Sequence, residues 1–193
     1  MTAPRRYRVH PGPDEETLRL LDRDRFETTV VPTGDHGPMA DVRPGHLIEA
    51  TLDRSGVDPA VESVSVVRPT RYRFADGIDP VFEVAEELWA EARLAGDGME
   101  SQVTRNTDGE VNGVCYVFAE DDLGGRFAEF RSGERPLDPL VDRINERDDA
   151  APRSVFVLRP PDREFVVVVI ALDPEGQFAD TLRETYDLDA NGM

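Results

Sequence analysis

The chain has 193 residues, enough for one sizeable domain or two small ones. Its 40 acidic residues outnumber 22 basic ones, every one of them arginine, for a formal net charge of −18. A single cysteine, Cys115, excludes an intramolecular disulfide framework and any multi-cysteine zinc or iron–sulfur site within one chain.

The first 75 residues read as short strands separated by turns. Residues 7–9, 17–21, 26–31, 46–52 and 61–67 carry the apolar, β-branched pattern of strands. Pro11-Gly12-Pro13, Pro32-Thr33-Gly34, Gly37-Pro38 and Pro44-Gly45 punctuate them. The stretch 17–23 is also compatible with a helical turn. Five short strands predict a small closed barrel. The segment VRPGHLIEATLD, residues 42–53, resembles the Pro-Gly strand start of OB-fold and similar small barrels.

From Asp79 the pattern turns helical. In DPVFEVAEELWAEARLAG, Asp79 suits a cap, Pro80 a first turn and Gly96 a C-terminal stop. Val81, Ala85, Leu88 and Ala92 make an apolar stripe widened by Phe82 and Trp89, which places Trp89 in a core rather than a binding site. A hairpin follows, 101–105 with 111–119, turning at Asp108-Gly109. Gly113 inside its second strand predicts a bulge or a close backbone approach, and Cys115 alternates into a packed row. A strand is expected at 126–131, then a helix opened by Asp138-Pro139 with Leu140, Val141 and Ile144 inward. A second hairpin pairs 154–158 with 165–172, and a last helix follows Asp173-Pro174 through Phe178, Leu182 and Tyr186. FVVVVIAL does not alternate, so it needs cover on both faces: the helices on one, the barrel or a second subunit on the other. The fold class expected is α+β: a small, OB-like β-barrel over residues 1–75, then an acidic two-layer α+β sandwich over 76–193 with a mainly antiparallel sheet.

Charge divides unevenly between these parts. Residues 1–75 hold 12 acidic and 11 arginine residues, a net of −1, and residues 76–193 hold 28 and 11, a net of −17. A lysine-free, acidic chain of this kind resembles uncharacterised proteins of halophilic archaea. Under that resemblance the carboxylates serve as a solvated face in molar salt, where charge is screened within about 3 Å. Two segments stand apart, RRYRVH at 5–10 and RPTRYRF at 68–74, each with Arg-Tyr-Arg. Strand alternation puts Arg71 and Arg73 on one face and Tyr72 with Phe74 on the other. Guanidinium groups bind phosphate oxygens two at a time, and aromatics stack bases. Arg6, Tyr7, Arg8, Arg71, Tyr72 and Arg73 are therefore the candidate nucleic-acid-binding residues, with RNA or single-stranded DNA as the partner. The same arginines could instead dock on the acidic second part, or have no specific role.

Other chemistry has little support. His10, His36 and His46 lack metal-ligand spacing, EDDLGG at 120–125 lacks the ligand alternation of a calcium loop, and no phosphate-cradling or nucleophile-elbow motif occurs. The absence of lysine removes Schiff-base chemistry. No catalytic residue, metal or cofactor is assigned. The expectation is a soluble, cytoplasmic, non-catalytic binding protein without a membrane segment, since the run 165–172 is too short to span a bilayer. The alternatives are a homo-oligomeric assembly protein that self-associates through its acidic α+β part, and an enzyme with His46, Cys115 and the Glu120–Asp122 acids in a cleft.

Overall fold

A computed structural model of the chain describes residues 3–34, 36–119, 123–145 and 151–188. Its backbone divides into two compact units: residues up to 72 together with 131–151, and residues 73–130 together with 152–188. The chain passes from the first unit to the second at 72–73. The return of 131–151 to the first unit has no counterpart in the composition of the chain.

In the first unit, β1 (Arg5–Pro11), β2 (Thr17–Asp22), β3 (Thr28–Pro32), β4 (Leu47–Asp53) and β5 (Ala60–Arg68) form one sheet in the order β3-β2-β1-β4-β5. Every pairing in it is antiparallel. All five strands lie where the alternation of apolar residues placed them, and 17–22 is strand rather than helical turn. One face gathers Tyr7, Val9, Leu18, Leu20, Val31, Ile48, Ala50 and Leu52, with Met39 and Val42 from the long β3–β4 connection over them. At roughly 1.5–3 kcal/mol for each large side chain removed from water, this cluster is the main stabilising term of the unit.

The sheet does not close, which corrects the expectation of a barrel. β3 and β5 are its two edges. β3 is only five residues long and ends on Pro32, which has no N–H to donate, so a continuous seam cannot form there. Near the gap, Arg54 Nη2 donates to Thr29 Oγ1 at 3.3 Å.

The second unit is built on a mixed sheet in the order β6-β9-β10-β8-β7: β6 (Arg71–Asp76, of which 73–76 belong here), β7 (Met99–Arg105), β8 (Val111–Phe118), β9 (Ser154–Arg159) and β10 (Val166–Ala171). The helices are α1 (Glu83–Ala95), α2 (Leu123–Ser132) and α4 (Gln177–Thr185), while α3 (Asp138–Asn145) belongs to the first unit. Ala85 and Leu88 of α1, with Ala179 and Leu182 of α4, pack against Cys115, Val117, Phe156, Val167 and Val169. Gly96 closes α1 in the left-handed conformation at φ 73°, as its position required, but the helix starts at Glu83 with Phe82 at its N-cap, so Asp79 does not cap it.

The segment expected as a strand at 126–131 is helical. Phe127 and Phe130 are three residues apart and so share a helix face. Phe130 meets the ring of Phe118 at 5.2 Å, and Phe127 meets Phe74 at 6.2 Å. Phe118 alternates with Val117 and therefore faces away from α1 and α4. Helical cover thus reaches both sides of this sheet, where a two-layer sandwich was expected. All six residues of β10 are buried, as their lack of alternation demanded. Among the described residues no helix is long and apolar enough to cross a membrane.

Cys115 is fully buried on β8, and burial pushes its thiol pKa up to about 12. Gly113 sits beside the one register shift in the β7–β8 ladder. A Cβ there would come within 2.6 Å of the Ile170 carbonyl oxygen and 2.7 Å of the Phe178 ring, so both the bulge and the close approach read from the sequence are present. Because only the thiolate reacts, native Cys115 is expected to be labelled by a maleimide at least about 100-fold more slowly than the unfolded chain. Labelling at comparable rates would show that the β8 core opens readily.

Candidate functional site

The two Arg-Tyr-Arg segments meet different fates. On β1 the alternation sends Tyr7 and Val9 into the apolar core of the first unit, and Arg8 and His10 to the opposite face. That face is covered as well: Arg8 and His10 have no exposed surface, and Tyr72 retains 3%. Arg8 Nε donates to Asp138 Oδ1 at 2.8 Å, its Nη2 lies 2.7 Å from the same oxygen, and its Nη1 donates to the Gly45 carbonyl at 2.7 Å. The Arg8 guanidinium stands 5.6 Å from the centre of the Tyr72 ring, and His10 meets that ring edge-on at 5.6 Å. Arg23 also donates to Asp138 and reaches Asp142 Oδ2 at 3.1 Å. The result is an ionic lock, with two arginines converging on one carboxylate at the first residue of α3.

Local chemistry explains how the lock is positioned. Asp138 sits where a helix N-terminus favours negative charge. Gly45 holds a φ of +95°, which gives it freedom a side chain would remove. The backbone of residues 70–72 passes so close that a Cβ on Gly45 would stand 2.3 Å from the Tyr72 nitrogen. Gly45 N–H donates to the Val9 carbonyl and Tyr72 N–H to the Pro44 carbonyl. The Pro-Gly step read as a strand start thus also ties β1 to the chain entering β6. A Cβ at Gly133, φ +83°, would lie 3.0 Å from the His10 ring.

The six candidate nucleic-acid residues are therefore scattered in role. Arg6 is exposed, whereas Arg71 and Arg73 are half-buried. Arg73 donates to Ser154 Oγ at 2.9 Å and stacks over Phe156. Tyr7, Arg8 and Tyr72, at 3%, 0% and 3% exposure, present no surface to a base or a phosphate. The pairing of Arg71 with Arg73 was legible from strand period. Asp138, Arg23 and Gly45 were missed as partners. The one available signal was an acid at a helix start, read only as a cap.

The histidines are also dispersed: His10 is buried in the lock, His36 is exposed, and His46 is 7% exposed beside Arg43. Burial first, then Arg71, Arg43 and Arg8, lower the His46 pKa to about 4. Its Nδ1 accepts the Arg43 backbone N–H at 3.3 Å, so the neutral ring is the form that fits. With the folded value near 4 and the unfolded near 6.5, the unfolded chain binds more protons across that window. The His46 contribution is expected to be fully present above pH 6.5 and to be lost as the pH drops to 4, by about 3 kcal/mol. Urea midpoints at pH 7 and pH 4.5 should differ less in His46→Asn, whose amide oxygen replaces Nδ1. An equal loss in both proteins would assign the acid sensitivity elsewhere. Among the described residues no group of three or more His, Cys, Asp or Glu is arranged to hold a metal ion. Glu120, Asp121 and Asp122 lie outside the described residues.

The remaining feature of the first unit is its long edge. β5 runs nine residues and pairs only with β4 in the sheet. Val61 and Val64 pack on the core, while Glu62, Ser63 and Ser65 are exposed, as are Val66 at 43% and Val67 at 45%. Near its start, Thr28, Val30, Arg54, Val57 and Asp58 line an open depression of about 500 Å³. Val57 is fully exposed there.

Comparison with known proteins adds a family. Residues 1–191 match a family of unknown function (DUF6663). No curated protein and no solved structure matches the chain.

Proposed function

We propose, for a chain that belongs to the DUF6663 family, a non-catalytic binding protein that takes up an extended polypeptide strand along the open edge β5. The observation that carries this reading is a nine-residue edge strand with exposed valines, in a protein whose other surfaces are rich in carboxylates. An edge strand presents a row of backbone N–H and C=O groups, and main-chain pairing supplies affinity while pockets on alternate side chains supply selectivity. Natural sheets blunt such edges with lysine, proline, inward charge or bulges, and β5 carries irregularities at Glu62 and Val67 that leave Ser63–Val66 as its regular run. β5 has no lysine and no proline, and its only charges are Glu62 and Arg68 near its ends.

The candidate residues read from sequence enter this function as framework. Arg8, Asp138 and Arg23 hold α3 on the first unit, and the Pro44-Gly45 step fixes the start of β4, the strand on which β5 depends. Nucleic acid is not the ligand proposed, because stacking needs an accessible aromatic beside free guanidinium groups. The buried tyrosines, 7 and 72, offer none.

The test is amide hydrogen exchange at molar salt with a library of extended nonapeptides, read residue by residue. Binding by strand addition slows exchange along 62–67 and leaves β7, the exposed edge of the other sheet, unchanged. Peptide capture without protection of β5 would defeat the reading.

A further inference from the structure

We infer that the strand taken up by β5 is the β5 of a second copy of this chain, paired antiparallel about a two-fold axis at Ser65. This rests on the strand-addition reading and names its partner. A two-fold axis makes an interface self-complementary: whatever residue i meets, its partner meets i. Antiparallel pairing centred on Ser65 sets Ser65 opposite Ser65, Val64 opposite Val66, Ser63 opposite Val67, and Glu62 opposite Arg68.

Charge selects this register. Glu62 and Arg68 are the only charges on the strand, and opposite charges directly across a ladder attract while an unmatched charge does not. Sliding the axis to Val64 sets Glu62 against Val66 and Arg68 against Ala60. Moving it to Val66 sets Arg68 against Val64. Only the Ser65 axis matches each acid with the base of the other copy, and it does so twice.

The existing ladder supplies a regular centre for this axis. The β4–β5 ladder is regular over Ser63–Val66, which faces Thr51–Ile48 residue by residue, and Glu62 and Val67 are the extra residues at the irregularities on either side of that run. The three residues at the axis, 64–66, are therefore regular strand. The strand is also neutral overall, so two copies meet there without adding to the repulsion of a chain of net charge −18. Salt that screens the remaining carboxylates and strengthens apolar contact favours the pairing of Val64 and Val66 across the axis. The alternative raised by the sequence, self-association through the acidic α+β part, involves a different sheet.

Cysteine placement tests it. Residues directly opposite in an antiparallel pair have Cα atoms about 4.5–5.5 Å apart, inside the range a disulfide spans. Ser65→Cys should form an intermolecular disulfide under mild oxidation at molar salt, whereas Ser63→Cys, which faces Val67, should not. The native Cys115 is buried and does not interfere. By light scattering, Glu62→Arg should weaken the dimer about tenfold by setting arginine against arginine, and Glu62→Arg with Arg68→Glu should restore it. Of the four side chains changed, Glu62, Ser63 and Ser65 are exposed and Arg68 is half-buried, and far-ultraviolet circular dichroism verifies that each variant folds. A dimer cross-linked equally by Ser63→Cys, or untouched by Glu62→Arg, would overturn the register. A monomer that still captures nonapeptides along β5 would overturn self-pairing and leave strand addition standing; a monomer that captures none would remove both.

Discussion

Asp138→Ala is expected to lower the unfolding free energy by about 3–5 kcal/mol, the cost of leaving a buried charge without its partner. Arg8 has no exposed surface, and its guanidinium donates to Asp138 and to the Gly45 carbonyl. Removing the carboxylate strands Arg8 in a low-dielectric site and also releases Arg23. An exposed pair provides the contrast. Asp76, half-exposed beside Arg159, should cost no more than about 1 kcal/mol on truncation to alanine. The double replacement Arg8→Met with Asp138→Leu should recover much of the loss, because a buried ion pair competes poorly with well-packed apolar side chains. Equilibrium urea unfolding of the four proteins gives the comparison. If Asp138→Ala matched Asp76→Ala, the lock would contribute no more than a surface ion pair.

The second large effect is expected at Gly45→Ala. Two costs add there. A side chain at φ +95° carries backbone strain of about 1–3 kcal/mol, and displacing the backbone of residues 70–72 costs about 1–3 kcal/mol more. Gly37 separates the two, since its φ is +104° and nothing lies within 4 Å of where a Cβ would stand. Gly37→Ala should therefore show the strain alone. Equal midpoint shifts for the two variants would mean that the approach of residue 72 to Gly45 is soft. A larger shift at Gly45, together with faster backbone exchange at Val9 and Tyr72, is the expected pattern, because both residues hydrogen-bond to the Pro44-Gly45 step.

Much of the architecture was legible because it follows from local rules. Apolar, β-branched runs between Pro-Gly turns located the five strands of the first sheet, and the stripe of Ala85, Leu88 and Ala92 identified α1. Gly96 and Gly113 were read correctly from what their neighbours require of a residue without Cβ. Residues 126–131 were misread because Phe127 and Phe130 suit a strand or one helix face equally, and six residues are too few to separate the periods. The barrel failed for a different reason. Strand number was right, but closure depends on whether two edges meet, and Pro32 ends one of them.

The sequence by itself determined where most strands and helices form, that Arg71 and Arg73 share one strand face, that Cys115 belongs to a core row, and that β10 is buried on both sides. Those properties are set by backbone period and by the transfer of apolar side chains from water, which act over a few residues. Only the tertiary structure decided that the Arg8 face of β1 is covered as well as the Tyr7 face. The cover is α3, carrying Asp138 from 130 positions further along the chain. No local pattern links Arg8 to Asp138, and a guanidinium reads the same whether it will meet a phosphate or a carboxylate. The same holds for β5: its composition marks a strand, while its standing at an edge, with nine residues of backbone on offer, is a fact of sheet order.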